Sequence, residues 1–326
     1  MQKILTLCFS AGIQKTIEFS NLSLDKVNRS KNYRFDIAGK AVNSARVLSH
    51  LGKIFENNLS ETEIKENITL ICPVGEKNLS FWKELSEGEI FTQKNILIPG
   101  FTRECCTLIE DNGRVTELVV EEPKIIDENN EKKAKELLIT LETELSKNQD
   151  KKPFALLIAG SVPSYWKTDI MIDVAKIAKK YNVLLMVDFK GETLLSLIPN
   201  HTPEIIKINE EEFLETFYKK TVQTSIQDLV SQKSAELNNI IIVTRGKNDT
   251  ILASSGKILI GKTEKVQIKN TIGCGDSFNA GFLYEYSISG NLEKALEMGT
   301  FAASRNAENL PPGWILKSHK SVDNKS

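Results

Sequence analysis

Histidine and patterned cysteine are both scarce in this chain of 326 residues. It has three histidines, and its five cysteines (Cys8, Cys72, Cys105, Cys106 and Cys274) contain no C-x-x-C spacing. No zinc framework can be assembled from that set. An odd number without a pairing pattern also speaks against a disulfide scaffold and fits a reducing compartment, so a cytoplasmic location is the expectation. Excess charge is missing as well, since 42 basic side chains stand against 43 acidic ones. That balance supplies no field to gather nucleic acid or coat an anionic membrane, which leaves small molecules as the expected partners. No run approaches the roughly 20 apolar residues of a membrane span. Lys3 followed by Ile4 to Phe9 faintly imitates a signal peptide, but Gln14 and Lys15 interrupt it and the segment reads as a first strand. There is no internal repeat and no low-complexity linker. No G-x-G-x-x-G opens an early βαβ unit, which removes the basis for a nicotinamide dehydrogenase.

What is present is a rhythm of short apolar runs. Phe154 to Ala159, Val183 to Val187, Ile205 to Ile208 and Ile240 to Thr244 are nearly continuous in apolar character, as strands buried on both faces of a parallel sheet are. Between them, Trp166 to Tyr181 places Ile170, Val174, Ile177 and Ala178 on one helical face, and Ile226 to Leu237 does so less cleanly. Repeated βα units imply a doubly wound α/β sheet. The first 125 residues differ. Gln14 to Phe19 and Arg103 to Ile109 alternate, Asp111-Asn112-Gly113 is a turn signal, and Val115 to Val120 reads as the returning strand of a small β-flap. Ala41 to Leu51 reads as a helix stopped by Gly52. The tail after Ser318 is polar and reads as frayed.

Two segments carry chemistry, and one imitates it. Gly256 to Thr263 satisfies G-x-x-x-x-G-K-[ST] letter for letter, but its centre is Ile258-Leu259-Ile260, which favours a strand over a phosphate-wrapping loop. Ser255-Gly256 is then a hairpin turn, and Glu264 to Lys269 alternates like another strand. The stronger signal is Gly273-Cys274-Gly275-Asp276 before a helix-like run, where successive backbone amides can converge on an anion at a helix N-terminus. Asp276 there serves either as a helix cap or as a base, and an ordinary carboxylate pKa of about 4 makes it a weak one. The second segment runs from Asp36 to Arg46. Gly39 lets backbone approach a ligand, Lys40 offers a cation and Asn43 an amide, a set suited to a polyol phosphate; the alternative is a plain helix N-terminus.

Together these segments resemble the signature regions of the PfkB (ribokinase-like) carbohydrate kinases, particularly the branch with 1-phosphofructokinase and tagatose-6-phosphate kinase. The order of further matches extends the resemblance over most of the chain: Ile4 to Leu7 with Ile13 to Ile17, Thr102-Arg103, Gly160-Ser161-Val162-Pro163, Asp188 with Gly191-Glu192, Lys207 to Glu212, and Val243 to Gly246. The resemblance implies a ribokinase-like fold, with a doubly wound, mainly parallel sheet carrying helices on both faces. It also implies one domain over 1–326 whose small β-sheet lid draws strands from roughly 11–38 and 96–121. The implied activity is ATP-dependent phosphorylation of a sugar phosphate, of the fructose 1-phosphate to fructose 1,6-bisphosphate type. Carried over by position, Asp276 is the base, and Gly273, Cys274 and Gly275 form the anion hole. Gln14, Gly39, Lys40, Asn43 and Arg103 hold the acceptor, with Lys40 and Arg103 on its phosphate. Lys207, Asn209, Thr244, Arg245 and Gly246 touch ATP, and Glu212 organises Mg²⁺ through water. A homodimer through the lid is also implied.

The acceptor half departs from the family pattern more than the donor half. Ala38 and Ala41 replace glycines and put methyl groups where backbone meets sugar, and Gln14 stands where an aspartate grips sugar hydroxyls. Cys105, Asn270 and Asp249 replace an asparagine, an aspartate and a glycine. Two alternatives therefore stay open: a catalytically weakened homologue that binds sugar phosphate or nucleotide as a regulator, and a kinase for an unphosphorylated sugar or nucleoside.

Overall fold

The computed structural model describes residues 1–120, 127–147, 153–166, 169–218 and 224–316. Position 121 of the expected lid, residues 167 and 168 of the expected helix and the tail after Ser318 lie outside them. The first half of the chain holds β1 (Ile4–Leu7), β2 (Gly12–Phe19), β3 (Tyr33–Ala38), α1 (Lys40–Phe55), α2 (Glu61–Glu66), β4 (Ile68–Gly75), α3 (Leu79–Leu85), β5 (Thr92–Ile98), β6 (Arg103–Glu110), β7 (Val115–Val119) and α4 (Asp127–Leu145). The second half holds β8 (Ala155–Ala159), α5 (Ile170–Lys180), β9 (Leu184–Asp188), α6 (Gly191–His201), β10 (Ile205–Asn209), α7 (Glu210–Phe217), α8 (Ile226–Leu237), β11 (Ile240–Arg245), β12 (Asn248–Ser254), β13 (Lys257–Gly261), α9 (Cys274–Ser289) and α10 (Leu292–Ala307).

Among the described residues nine strands form one sheet in the order β13-β12-β11-β10-β9-β8-β1-β4-β5. The strands from β11 to β5 pair in parallel, and the β12–β13 hairpin extends the sheet antiparallel. Period-two alternation distributes each strand's side chains between two cores. Ile4, Ala155, Leu157, Met186, Ile205 and Ile242 pack against α1, α9 and α10. Leu5, Leu156, Ile158, Val187, Ile206 and Val243 pack against α4 to α8. Continuous apolar runs were thus the correct mark of strands covered on both sides. A separate sheet of four strands, β3-β2-β6-β7, holds the alternating segments, with Gly113 in the left-handed region (φ 85) at its turn. Ile96 to Ile98, expected within the lid stretch, belong to β5 of the large sheet.

Three local expectations are corrected or sharpened. Gly52 does not stop α1, which continues to Phe55. A Cβ there would come within 2.9 Å of Ile64 Cγ2, so the glycine serves close packing of α2. Glu264 to Lys269 forms no strand; β13 ends at Gly261, and the amide of Lys269 donates instead to Ala307 O at 2.8 Å. The phosphate-loop imitation is β13, entered through a two-residue turn at Ser255 (φ 46) and Gly256 (φ 87). None of the five cysteines is in a disulfide, and among the described residues no helix is long and apolar enough to cross a membrane.

Candidate active site

The chain adds β4 and β5 on one side of β1 and then returns to build β8 to β11 on the other, so the strand order reverses at β1 and β8. Ligand crevices in doubly wound sheets open at the carboxyl ends of strands beside such a point. There the face turned toward α1 and α9 changes from apolar to polar. Met186 is followed two residues on by Asp188, Ile205 by Lys207 and then Asn209, and Ile242 by Thr244. Asn209 and Thr244 are register partners on neighbouring strands.

Asp188 is the electrostatic centre of this row. Only 1% exposed, it accepts from Lys207 Nζ at 2.9 Å and Asn279 Nδ2 at 2.6 Å on one oxygen, and from Lys40 Nζ at 3.1 Å on the other. Burial pushes its carboxyl upward, but the two ammonium groups and the Asn279 amide overcome that, and the net result lies well below the usual carboxylate range. In return Asp188 holds the Lys40 ammonium above its ordinary range against burial, with Asp276 and Glu212 adding to the effect. Lys40, expected on a substrate phosphate, is therefore already engaged by Asp188.

Helix α9 begins at Cys274, with Gly273 as its N-cap in the left-handed region (φ 82). Asp276 is the third residue of the helix and is no cap. Its carboxylate accepts from Asn43 Nδ2 at 2.8 Å, and its carbonyl accepts from Ser44 Oγ at 3.0 Å. Burial raises its pKa to about 6; Asp188 works in the same direction, while Lys40, the Asn43 amide and Lys207 pull it down. The ordinary value of about 4 expected from the sequence is corrected accordingly. The Cys274 amide donates to Thr271 O at 3.3 Å, whereas the amides of Gly275 and Asp276 belong to the first turn, which has no helix carbonyl to receive them. A Cβ at Gly275 would stand 2.7 Å from Lys207 Nζ, so a buried ammonium lies directly against this backbone. Burial raises the Cys274 thiol, partly offset by the Asn306 amide at 3.4 Å.

The remaining expected residues fall into two groups beside this centre. Gly39 (φ 132) caps α1, and its missing Cβ would meet Ser10 O at 3.3 Å. Gly12 pairs with both Ala38 and Arg103, which sets Arg103 one strand across from the Gly39 corner. Gln14 turns its amide into the small sheet, donating to Thr107 Oγ1 at 2.8 Å. The Ala41 methyl, expected where backbone meets sugar, is fully buried in the core. On the other flank, Asn209 and Glu212 form a capping box on α7, Arg245 Nε donates to Glu210 Oε2 at 2.8 Å, and Gly246 (φ 60) makes the turn into β12. A cavity of about 570 Å³ opens there, lined by Arg245, Lys247, Asn248 and Lys262 among others.

Among the described residues no group of three or more acidic, histidine or cysteine side chains could cage a metal ion. The set suits Mg²⁺ nonetheless, because that ion is commonly held by one or two carboxylates with the substrate's own phosphates and water. Sequence reasoning did not single out Asp188, Asn279, Arg46 or Asn306 for the site. The available signal was Lys207, a lysine at a buried strand position that requires an acid partner.

A model of the pfkB family carbohydrate kinases matches residues 6–310. A tagatose-6-phosphate kinase of Staphylococcus epidermidis is 27% identical over 283 residues, spanning 85% of this chain and 83% of that protein. The solved structure of phosphofructokinase-2 from Escherichia coli in complex with fructose-6-phosphate matches with a TM-score of 0.80 at 20% identity over 96% of each chain. Ribokinase from Thermotoga maritima matches at 0.67 and 17% over 95% of each. At these identities the two structures speak for the fold, which is ribokinase-like as expected.

Proposed function

The chain belongs to the pfkB family of carbohydrate kinases, and from that premise, which makes it a phosphotransferase with an alcohol acceptor, we propose that it phosphorylates a ketohexose phosphate at the expense of ATP. The observation that carries the reading is Asp276, a buried carboxyl with a pKa of about 6 in the first turn of α9. A base with that pKa is mostly ionised at neutral pH and is stronger than an ordinary carboxylate. It takes the proton as the acceptor hydroxyl attacks the γ-phosphorus in line. The new O–P bond forms while the bond to the β-phosphate oxygen breaks, and ADP leaves with that electron pair. The Gly273-Cys274-Gly275 turn meets the charge on the moving group through the amides of Gly273 and Gly275, with the Lys207 ammonium beneath Gly275, and through the Cys274 amide once it leaves its long bond to Thr271 O. Gly39, Lys40, Asn43, Gln14 and Arg103 form the acceptor side. Asn209, Lys207, Thr244, Arg245 and Gly246 form the nucleotide side, next to the 570 Å³ cavity.

Glu212 would hold Mg²⁺ through water, together with the nucleotide's own phosphates, and the ion would supply charge neutralisation there. The small sheet acts as the lid that keeps water from the γ-phosphoryl group and serves as the dimer contact. The acceptor class is supported by the tagatose-6-phosphate kinase relative. An ADP-release screen with ATP and Mg²⁺ over fructose 1-phosphate, fructose 6-phosphate, tagatose 6-phosphate, the free sugars and nucleosides tests it. Stimulation by a ketohexose phosphate is expected; stimulation by free sugars or nucleosides alone, or by nothing, overturns the reading.

A further inference from the structure

Arg46 lies seven residues into α1 and is 3% exposed, yet its guanidinium reaches four different parts of the molecule. Nε donates to Glu89 Oε1 at 2.7 Å, Nη2 to Ile37 O at the end of β3 at 2.9 Å, and Nη1 to Pro312 O at 3.1 Å and Asn43 Oδ1 at 3.4 Å. The pair with Glu89 alone would satisfy the buried charge. The contact with Asn43 does something else, because Arg46 can only donate while an amide has one accepting and one donating end. With Oδ1 turned to the guanidinium, Nδ2 must face Asp276, and there it donates at 2.8 Å. The flipped amide would set donor against donor at Arg46 and acceptor against acceptor at Asp276.

Asn43 is also boxed from behind. Gly313 (φ 69) packs so closely that a Cβ on it would come within 2.9 Å of Asn43 Cα and Cβ. That corner is held by Arg46 through Pro312 O and by Asn306, whose Oδ1 accepts from the Gly313 amide at 2.7 Å. Asn306 simultaneously donates to Ile272 O at 2.9 Å, just before the Gly273 turn.

We propose that Arg46 is a positioning residue for Asp276, acting through the amide of Asn43. Its guanidinium fixes which end of Asn43 meets the carboxylate, so that Oδ2 of Asp276 is occupied and Oδ1 is presented to the incoming hydroxyl. This rests on the reading of Asp276 as the base. The charged groups facing Asp276 are Lys40 from α1, Asp188 from β9 and Lys207 from β10, and none of them is altered by changing Arg46.

Two variants test it: Arg46→Met with Glu89→Gln, which removes both members of the buried pair, and Arg46→Lys, which keeps the ion pair if the first does not fold. The readouts are a ¹³C NMR titration of the Asp276 carboxyl, the pH dependence of kcat, and ATP affinity by calorimetry. Without an oriented amide donor the ionised carboxylate loses a hydrogen bond. The Asp276 midpoint should therefore rise above about 6, and kcat should fall roughly 10- to 100-fold as the base loses alignment, with ATP affinity within about twofold of wild type. In an Asn43→Ala background the Arg46 change should move the midpoint no further. An unmoved midpoint, or the same shift with and without Asn43, overturns the inference. Absence of sugar-phosphate-dependent turnover in the wild-type protein overturns the kinase reading instead, and the NMR titration still decides the role of Arg46.

Discussion

Replacing Asp276 with asparagine should abolish most turnover and at the same time make the protein more stable at neutral pH. In the folded state burial holds this carboxyl near about 6, while in the unfolded chain it titrates at about 3.9. Between those values the native state binds more protons than the unfolded one. Wild-type stability therefore falls as pH rises across that window, and the loss persists above it. Integrated across the window, ionising this buried carboxyl costs the native state about 3 kcal/mol. An asparagine does not titrate, fills the same volume and can still accept the Asn43 hydrogen bond, so Asp276→Asn recovers part of this, about 1–3 kcal/mol at pH 7.5. Urea unfolding followed by tryptophan fluorescence at pH 7.5 and pH 4 measures it, alongside ATP affinity, which should be retained. The gain should shrink to about 0.5 kcal/mol or less at pH 4, where the native carboxyl is protonated and the unfolded one about half so. An Asp276→Asn protein no more stable than wild type at pH 7.5, or equally stabilised at both pH values, would refute the argument that burial raises this carboxyl.

Asp188→Asn should do the opposite. Whichever way its amide turns, an N–H faces a cation, and loss of one member of a buried charge cluster costs about 3 kcal/mol at pH 7 by the same denaturation assay. Because the Asp188 pKa is depressed, the wild-type advantage is complete above the ordinary carboxylate range and shrinks only as pH falls below it. Gly275→Ala would bring a methyl group to 2.7 Å from Lys207 Nζ, which Asp188 prevents from swinging away. Its steady-state kcat should drop on the order of 10- to 100-fold with an unchanged circular dichroism spectrum, and normal turnover would exclude this backbone from transition-state stabilisation.

Much of the fold was legible in the sequence because sheet burial leaves a local mark. Apart from Lys207, Ile205 to Ile208 and Ile240 to Val243 are apolar on both alternating faces since helices cover both, and Gln14 to Phe19 alternates because the small sheet does not share that environment. Alternation misled at Glu264 to Lys269, which leaves the outer edge of β13 unpaired among the described residues and bonds at its end to Ala307 of α10 instead. Gly52 misled because its reason is Ile64, a residue of another helix. In the site, Gly275 and Asp276 were readable from a contiguous motif with a local mechanism. The expectation for Lys40 was only half formed, since its ammonium is engaged by Asp188, 148 positions away in the chain. Arg46 and Asn306 act through backbone carbonyls and amides of Ile37, Pro312, Ile272 and Gly313, which leave no trace in residue identity.

The small sheet has a consequence for how the molecule is made. Its central pairing joins Gly12–Phe19 in parallel to Arg103–Glu110, and the intervening chain contains α1, β4, α3 and β5. Bringing such distant segments together carries a loop-closure entropy that local contacts do not repay until the intervening body has condensed. During synthesis, β2 emerges long before its partner and waits with both edges unpaired unless β3 folds back on it first. Refolding should therefore restore the large sheet's circular dichroism before catalytic activity returns, with closure of the β2–β6 ladder as the last cooperative step.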